Sequence, residues 1–322
     1  MRNISRKNFT KLLAACVLAG LTPFAAAQNK TLKILVAFPP GGPVDFVART
    51  LTEQLGKELG QTVVVENKAG ANGAIAADAL MKAPADGQTL WLTSVGAVAI
   101  NPSLYPNLPY DPVRDLAPVS LVVNNVELLV VHPNTPTNQP QEFIQLAKQK
   151  RITMASSGTG SVPHLAMELL ADATKTDLVH VPYKGAAPAI TDVMAGHVDG
   201  FFGDIPGLIS HIRSGKLKPV ALASTRRHPL FPDVKTFQEI GVAGVDSDNW
   251  YALFANKATP AADVERINQA VRRTLNTEAV RSKLIASGAE PAGSSAAELA
   301  TVLKNDMAKW GRVIRDKKVK PD

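Results

Sequence analysis

Leu32-Lys33-Ile34-Leu35-Val36-Ala37, followed at once by Phe38-Pro39-Pro40-Gly41-Gly42-Pro43, decides how this chain is expected to fold. Six β-prone residues run into six that cannot continue a strand. From Asp45 a stripe of Val47, Leu51, Leu55 and Leu59 then marks one side of a helix that ends at Gly60. The cadence repeats outward. Residues 62–66 are a second strand, residues 70–73 turn into a helix around Ile75, Ala79 and Leu80, and residues 89–93 are a third strand. Strand, helix, strand is the signature of a mostly parallel sheet, so the fold class is α/β. The same unit reappears later: Ile152-Thr153-Met154-Ala155, the loop Ser156-Ser157-Gly158-Thr159-Gly160-Ser161, then a helix from Pro163 through Leu165, Leu169 and Leu170. Residues 177–182, 200–202 and 219–223 supply further strands.

Between the two units lies a proline-rich stretch with Asn101-Pro102, Leu108-Pro109-Tyr110-Asp111-Pro112 and Ala117-Pro118. It reads as a loop wrapped over a domain, and residues 126–131 read as a strand crossing to the second domain. At the far end Thr259-Pro260 reads as the N-cap and first residue of a helix through Val264, Ile267, Val271 and Leu275. Ser295-Ala296-Ala297-Glu298 fits a capping box before Leu299, Val302, Met307, Trp310 and Val313. The expected domains are 28–128 with 246–322, and 129–245. No internal repeat is visible.

The N-terminus has its own character. Arg2, Arg6, Lys7 and Lys11 precede an apolar run that closes on Ala25-Ala26-Ala27 before Gln28, the parts of a secretory signal peptide cut after Ala27. The run falls short of the roughly 20 residues of a membrane span. Leu13-Ala14-Ala15-Cys16 has the look of a lipobox, but too few apolar residues separate it from Lys11. The leader carries four of the 35 Lys and Arg and none of the 28 Asp and Glu, so the formal charge of +7 falls to +3 in the mature chain. With sparse aromatics and no basic block, nucleic acid is not an expected partner. Cys16 is the only cysteine, so disulfides, cysteine-ligated zinc and thiol catalysis are not expected after export.

The two Gly-rich loops share a physical design. In a parallel α/β sheet each sits at the carboxyl end of a strand, where ligands bind. Glycine lets backbone N–H groups come close to a ligand, and the helix start behind favours negative charge. Ser156, Ser157, Thr159 and Ser161 add hydroxyls. His164 can donate to a ligand or serve as cap or packing; Asp45 can cap its helix or touch a ligand; Lys184 can attract an anion or remain solvated. Trp250 and Tyr251 read as core or hinge. Other chemistries lack their letters: there is no G-x-G-x-x-G, no G-x-x-x-x-G-K-[ST], no G-x-S-x-G and no H-E-x-x-H, and the six histidines are isolated. No metal, no cofactor and no catalytic residue is expected.

Several stretches together resemble the substrate-binding proteins of tripartite tricarboxylate transporters, the Bug family of periplasmic receptors. They are residues 38–45 with Ala48-Arg49, residues 66–73, residues 101–105 with 108–112, residues 156–161 with His164-Leu165, residues 181–185, and Trp250 before Thr259-Pro260, in family order over nearly the whole mature chain. The resemblance implies a type II periplasmic binding protein fold, with two α/β domains and a ligand cleft between them, two crossover strands and a C-terminal return to domain one. It implies a monomeric receptor in the periplasm that is not an enzyme. Such a receptor holds a small carboxylate between the two Gly-rich loops, through backbone N–H groups and water, for delivery to membrane transporter subunits. By motif position it carries ligand contact onto Phe38, Gly41, Gly42, Asp45, Ser156, Ser157, Gly158, Thr159, Gly160, Ser161 and His164, and further onto Ser94, Ala97, Lys184, Gly185, Ala186 and Asp204. Val44 and Val98 replace a Thr and a His common in the family, which shifts the expected ligand toward an apolar or aromatic acid. Two other outputs remain open: docking on a membrane sensor, and an exported serine hydrolase using Ser161 or Ser157 with His164. The hydrolase lacks an obvious carboxylate to orient the imidazole.

Overall fold

Strand β1 (Thr31–Val36) pairs in parallel on both sides, with β2 (Thr62–Asn67) and β3 (Thr89–Ser94). That central position buries Leu32, Ile34, Leu35 and Val36, as an interior parallel strand requires. These elements belong to a computed structural model that describes residues 30–321; the signal peptide, its cut after Ala27 and Cys16 lie outside the described residues. The crossover helices are α1 (Pro43–Leu59) and α2 (Ala74–Lys82). α1 begins at Pro43, where a missing N–H costs nothing, and stops at Gly60, whose φ of 64° suits a residue without Cβ.

The chain then runs through β4 (Leu116–Asn125), passes at Val126 from one sheet to the other, and continues as β5 (Glu127–Val131). The second lobe is α3 (Pro140–Gln149), β6 (Ile152–Ser156), α4 (Val162–Thr174), β7 (Leu178–Pro182), α5 (Ala186–Met194), β8 (Gly200–Asp204), α6 (Ile205–Arg213) and β9 (Lys218–Leu222). β10 (Asn249–Asn256) returns to the first sheet and leads to α7 (Ala261–Asn276), α8 (Glu278–Ser287), β11 (Glu290–Pro291) and α9 (Ala296–Lys317).

The first sheet has the order β11-β4-β10-β3-β1-β2 and the second β7-β6-β8-β5-β9. Stripped of β11, the two orders correspond: β2-β1-β3-β10-β4 against β7-β6-β8-β5-β9. In each, one antiparallel strand is supplied by the segment that has just crossed from the other lobe, β10 beside β3 and β5 beside β8. In β5 and β8 the side chains alternate between two cores: Leu129, Val131 and Phe202 on one face, Leu128, Val130 and Phe201 on the other.

Two sequence readings are corrected. The proline-rich stretch is not all loop: Pro118 lies inside β4, paired with Phe254 beside a register shift. β11 covers β4 only at Val123 and Asn124, so Pro118 removes no N–H from a ladder on that side. α7 starts at Ala261 with Pro260 as N-cap and no side-chain cap, so Thr259 does not cap it. The capping box of Ser295 and Glu298 is present as read.

Candidate functional site

Each lobe contributes the same piece of backbone, a strand that breaks into a Gly-rich loop and restarts as a helix. β1 leads through residues 37–42 into α1, and β6 leads through residues 157–161 into α4. A helix start leaves its first N–H groups without intrahelical partners, and side chains usually satisfy some of them. Here they do not. The N-caps Gly42 of α1, Ser161 of α4, Gly185 of α5 and Asp204 of α6 all lack a side-chain cap hydrogen bond. Residues at all four helix starts border one cavity of about 410 Å³, counted with its open mouth. Gly42, Pro43 and Val44 come from α1, Ser161, Val162 and Pro163 from α4, Ala186 from α5, and Gly203 and Asp204 from the start of α6. Phe38, Ser94, Ser157, Phe201, Asn249 and Tyr251 complete the wall. Ser161 Oγ is buried there with no hydrogen-bond partner.

The floor is acidic and made by both crossings. Glu127, first in β5, faces Asp204 across the ladder, and Asn249 is first in β10. Asn249 Nδ2 donates to both Asp204 oxygens at 3.1 Å and to Glu127 Oε1 at 3.3 Å, and Tyr251 donates its phenol proton to Asp204. Burial pushes the Asp204 carboxyl up, and hydrogen bonds from Tyr251, Asn249 and Glu127 oppose it. Burial and then the charge of Asp204 raise Glu127 further. Asp204 leaves its helix uncapped because its carboxylate is spent on these partners.

The two loops are braced from inside. In the first, the N–H of Gly41 donates to Asp45 Oδ2 at 3.0 Å, where Arg49 Nε also arrives at 2.9 Å, and Asn67 Nδ2 reaches Asp45 Oδ1 at 2.9 Å. Burial raises the Asp45 carboxyl, but hydrogen bonds from Arg49, Gly41 and Asn67 outweigh it and hold it below the usual carboxylate range. In the second, the N–H of Gly160 donates to His164 Nδ1 at 3.2 Å, so that nitrogen carries no proton in this arrangement. The ring stacks on His180 at 3.8 Å, and His180 Nε2 meets Ser156 Oγ at 2.6 Å. Ser156 Oγ also accepts from the N–H of Gly158.

Among the sequence-selected residues, Phe38, Gly42, Ser94, Ser157, Ser161, Ala186 and Asp204 therefore meet at one cavity. Asp45, Ser156 and His164 brace the loops, and the N–H groups of Gly41, Gly158, Gly160 and Ser161 are taken by internal partners. Ala97 lies in the core of the first lobe. Gly158, Thr159 and Lys184 line a second cavity. Gly185 packs against Pro39 of the other lobe, where an added Cβ would lie 2.5 Å from its ring. Sequence reasoning missed Asn249 at the floor and Asn72, whose Nδ2 reaches Gly160 O at 2.8 Å and ties the lobes together. The one legible hint was a polar Asn249 opening the apolar run 250–255. Ser161 Oγ has no hydrogen-bond partner among the described residues, so it is not paired with His164; the sequence reading that no carboxylate stands by that imidazole is corrected, since Glu168 Oε1 lies 3.6 Å from His164 Nε2. Among the described residues no group of three or more His, Cys, Asp or Glu is placed to hold a metal.

Residues 47–319 match the tripartite tricarboxylate transporter family receptor. A relative from Bordetella pertussis, protein BugT, is 34% identical over 319 residues, covering 96% of this chain and 98% of its own length. The periplasmic binding protein BugD superposes with a TM-score of 0.85 at 31% identity, covering 91% of this chain and 99% of that one. Two similar structures from Rhodopseudomonas palustris hold ligands. Rpa4515 with adipate has a TM-score of 0.88 and 30% identity over 92% of this chain and 100% of that one. MatC with bound malate has 0.83 and 33% over 88% and 98%. The two-lobe α/β architecture is that of these periplasmic binding proteins.

Proposed function

Because this chain belongs to the tripartite tricarboxylate transporter family of receptors, we propose that it captures a small carboxylate in the cavity between its lobes and delivers it to a membrane transporter. One observation carries the reading: four uncapped helix starts, from both lobes, converge on one cavity without a basic side chain in its wall. Unsatisfied N–H groups and aligned helix dipoles favour an anion there. The donors left are helix-start N–H groups such as those of Val44, Val162 and Ala186, since Pro43 and Pro163 carry none and the N–H groups of Gly41, Gly158, Gly160 and Ser161 are already committed. Phe38, Gly42, Ser94, Ser157, Ser161, Ala186 and Asp204 form the contact set, and Ser161 Oγ gains its missing partner from the ligand.

Binding between lobes also supports the receptor role. A ligand shifts an open–closed equilibrium only by its differential affinity, which a two-sided contact supplies. The bodies that move are the lobe of the first sheet and the lobe of the second, hinged at the crossings, so the domain boundary expected after residue 128 moves to Val126, ahead of β5. No described helix is long and apolar enough to cross a membrane, and the family places the working protein in the periplasm. The test is a calorimetric panel of C2–C8 carboxylic acids against their neutral amides. At least one acid is expected to bind with its amide at least a hundredfold weaker. Binding of amides or amines with no acid bound overturns the carboxylate reading.

A further inference from the structure

An acid entering the cavity at the four helix starts meets a floor that holds two carboxyls of its own. Asp204 is in the wall, and Glu127 stands opposite it in the ladder between β5 and β8. They are 8% and 0% exposed, so water is shut away from both. Besides each other, the ionisable groups that face them among the described residues are Tyr251, from β10, and Asp248, just ahead of that strand. No Lys, Arg or His is among these groups, and none lines the cavity. Two adjacent buried carboxyls without a cation cannot both ionise near neutral pH, so before binding the pair holds one proton and one negative charge. Burial pushes Asp204 up to about 6 and Glu127 well above its ordinary value. A ligand carboxylate at the start of α6, whose N-cap is Asp204, sets a second charge beside the first. Helix starts stabilise one anion there; nothing in the wall offsets two.

We propose that Glu127 and Asp204 form a proton site, and that the receptor takes up one proton from water with each carboxylate it captures. The inference rests on the carboxylate reading of the cavity. The proton stays on the floor and the ligand keeps its charge. The Asp204 carboxyl changes from an acceptor that repels the anion into an O–H that donates to it. Asp204 thus belongs to the contact set as an acid, not as an anion. The sign follows from linkage. Below a pH of about 6 the floor is already neutral, and affinity is nearly constant. Above it, each further pH unit weakens binding about tenfold, because the proton comes from a more dilute pool.

The probe is the tightest-binding member of the C2–C8 acid panel. Calorimetry in phosphate and in Tris, whose ionisation heats differ, counts the protons taken up. The wild type is expected to take up close to one proton per acid at about pH 8 and well under half of one at about pH 5.5, with affinity about tenfold weaker at pH 8 than at pH 7. In Asp204→Asn the amide stands in for the protonated acid, so uptake falls to near zero and affinity is the same at pH 7 and pH 8. Its melting curve reports whether that variant is folded, and the wild-type proton count decides even where it is not. Wild-type binding without proton uptake at pH 8 overturns the proton site and leaves the carboxylate reading standing, as does uptake that persists in folded Asp204→Asn. Failure of every acid to bind overturns the carboxylate reading itself, and this one with it.

Discussion

The loop after β1 and the loop after β6 have the same place in their lobes and different chemistry. Both follow a parallel strand, both open an uncapped helix, and both commit a glycine N–H to a side chain four residues on, Gly41 to Asp45 and Gly160 to His164. The first brace is an anion fed by a guanidinium and an amide; the second is an uncharged ring nitrogen in a histidine stack. Similar backbone shapes can therefore be held by unrelated side chains, because the loop needs only an acceptor at that distance. A second difference concerns exposure. Gly41 has nothing within 4 Å of where a Cβ would stand, whereas a Cβ on Gly160 would lie 2.6 Å from Leu104 and 3.4 Å from Asn101 in the other lobe. Only the second loop is pressed into the opposite lobe at its glycine.

That contrast sets the largest expected effect. Gly160→Val should abolish lobe closure and weaken ligand binding by at least a hundredfold, since Gly160 has φ +77° and its Cβ would enter the partner lobe. Small-angle scattering with a bound acid should show compaction for the wild type and for Gly41→Ala, and none for Gly160→Val. Compaction in Gly160→Val would erase the distinction between the loops.

The next effect separates the braces. Asp45→Ala strands the Gly41 N–H and frees Asn67 Nδ2 of one acceptor, while Arg49 stays solvated and bonded to Asn67, so it should cost about 2 kcal/mol, or about 4–8 °C in melting temperature. His164→Leu removes one acceptor and a stacked ring, and should cost about 1 kcal/mol. Thermal denaturation of both variants checks the order, and a greater loss for His164→Leu would show the histidine stack to be the stronger brace.

The smallest effect concerns pH. Asp45 has a folded pKa below its unfolded value, so its contribution is fully present above the unfolded pKa of about 4 and is lost only as pH falls through the lower folded value. The melting-temperature gap between wild type and Asp45→Asn should therefore be the same at pH 5 and pH 8 and close below about pH 4. A gap that changes between pH 5 and pH 8 would mean that Asp45 is not held as an anion by its three donors.

Local pattern made much of this legible. Period-two and helical periodicity, proline and glycine punctuation and the Ser295 capping box all depend on residues close in sequence, so β1, α1, β6, α4 and α9 could be placed from their letters. β4 could not, because Pro118 reads as a strand breaker until β10 supplies its only neighbour at that point. The shared strand order of the two lobes was equally hidden, since burial and pairing constrain side-chain class rather than identity. In the site, the letters gave the loops and their glycines. They could not show which N–H groups remain free, because Asp45 and His164 satisfy some of them through contacts that depend on local geometry. Nor could they bring Asn249 to Asp204 or Asn72 to Gly160, partners 45 and 88 residues apart. The sequence by itself determined the α/β class, the two loops and the family, since each is written in short runs of neighbouring residues. Tertiary structure alone decided which polar groups stay unpaired at the cleft, because a hydrogen bond between distant segments exists only once packing has set the distance.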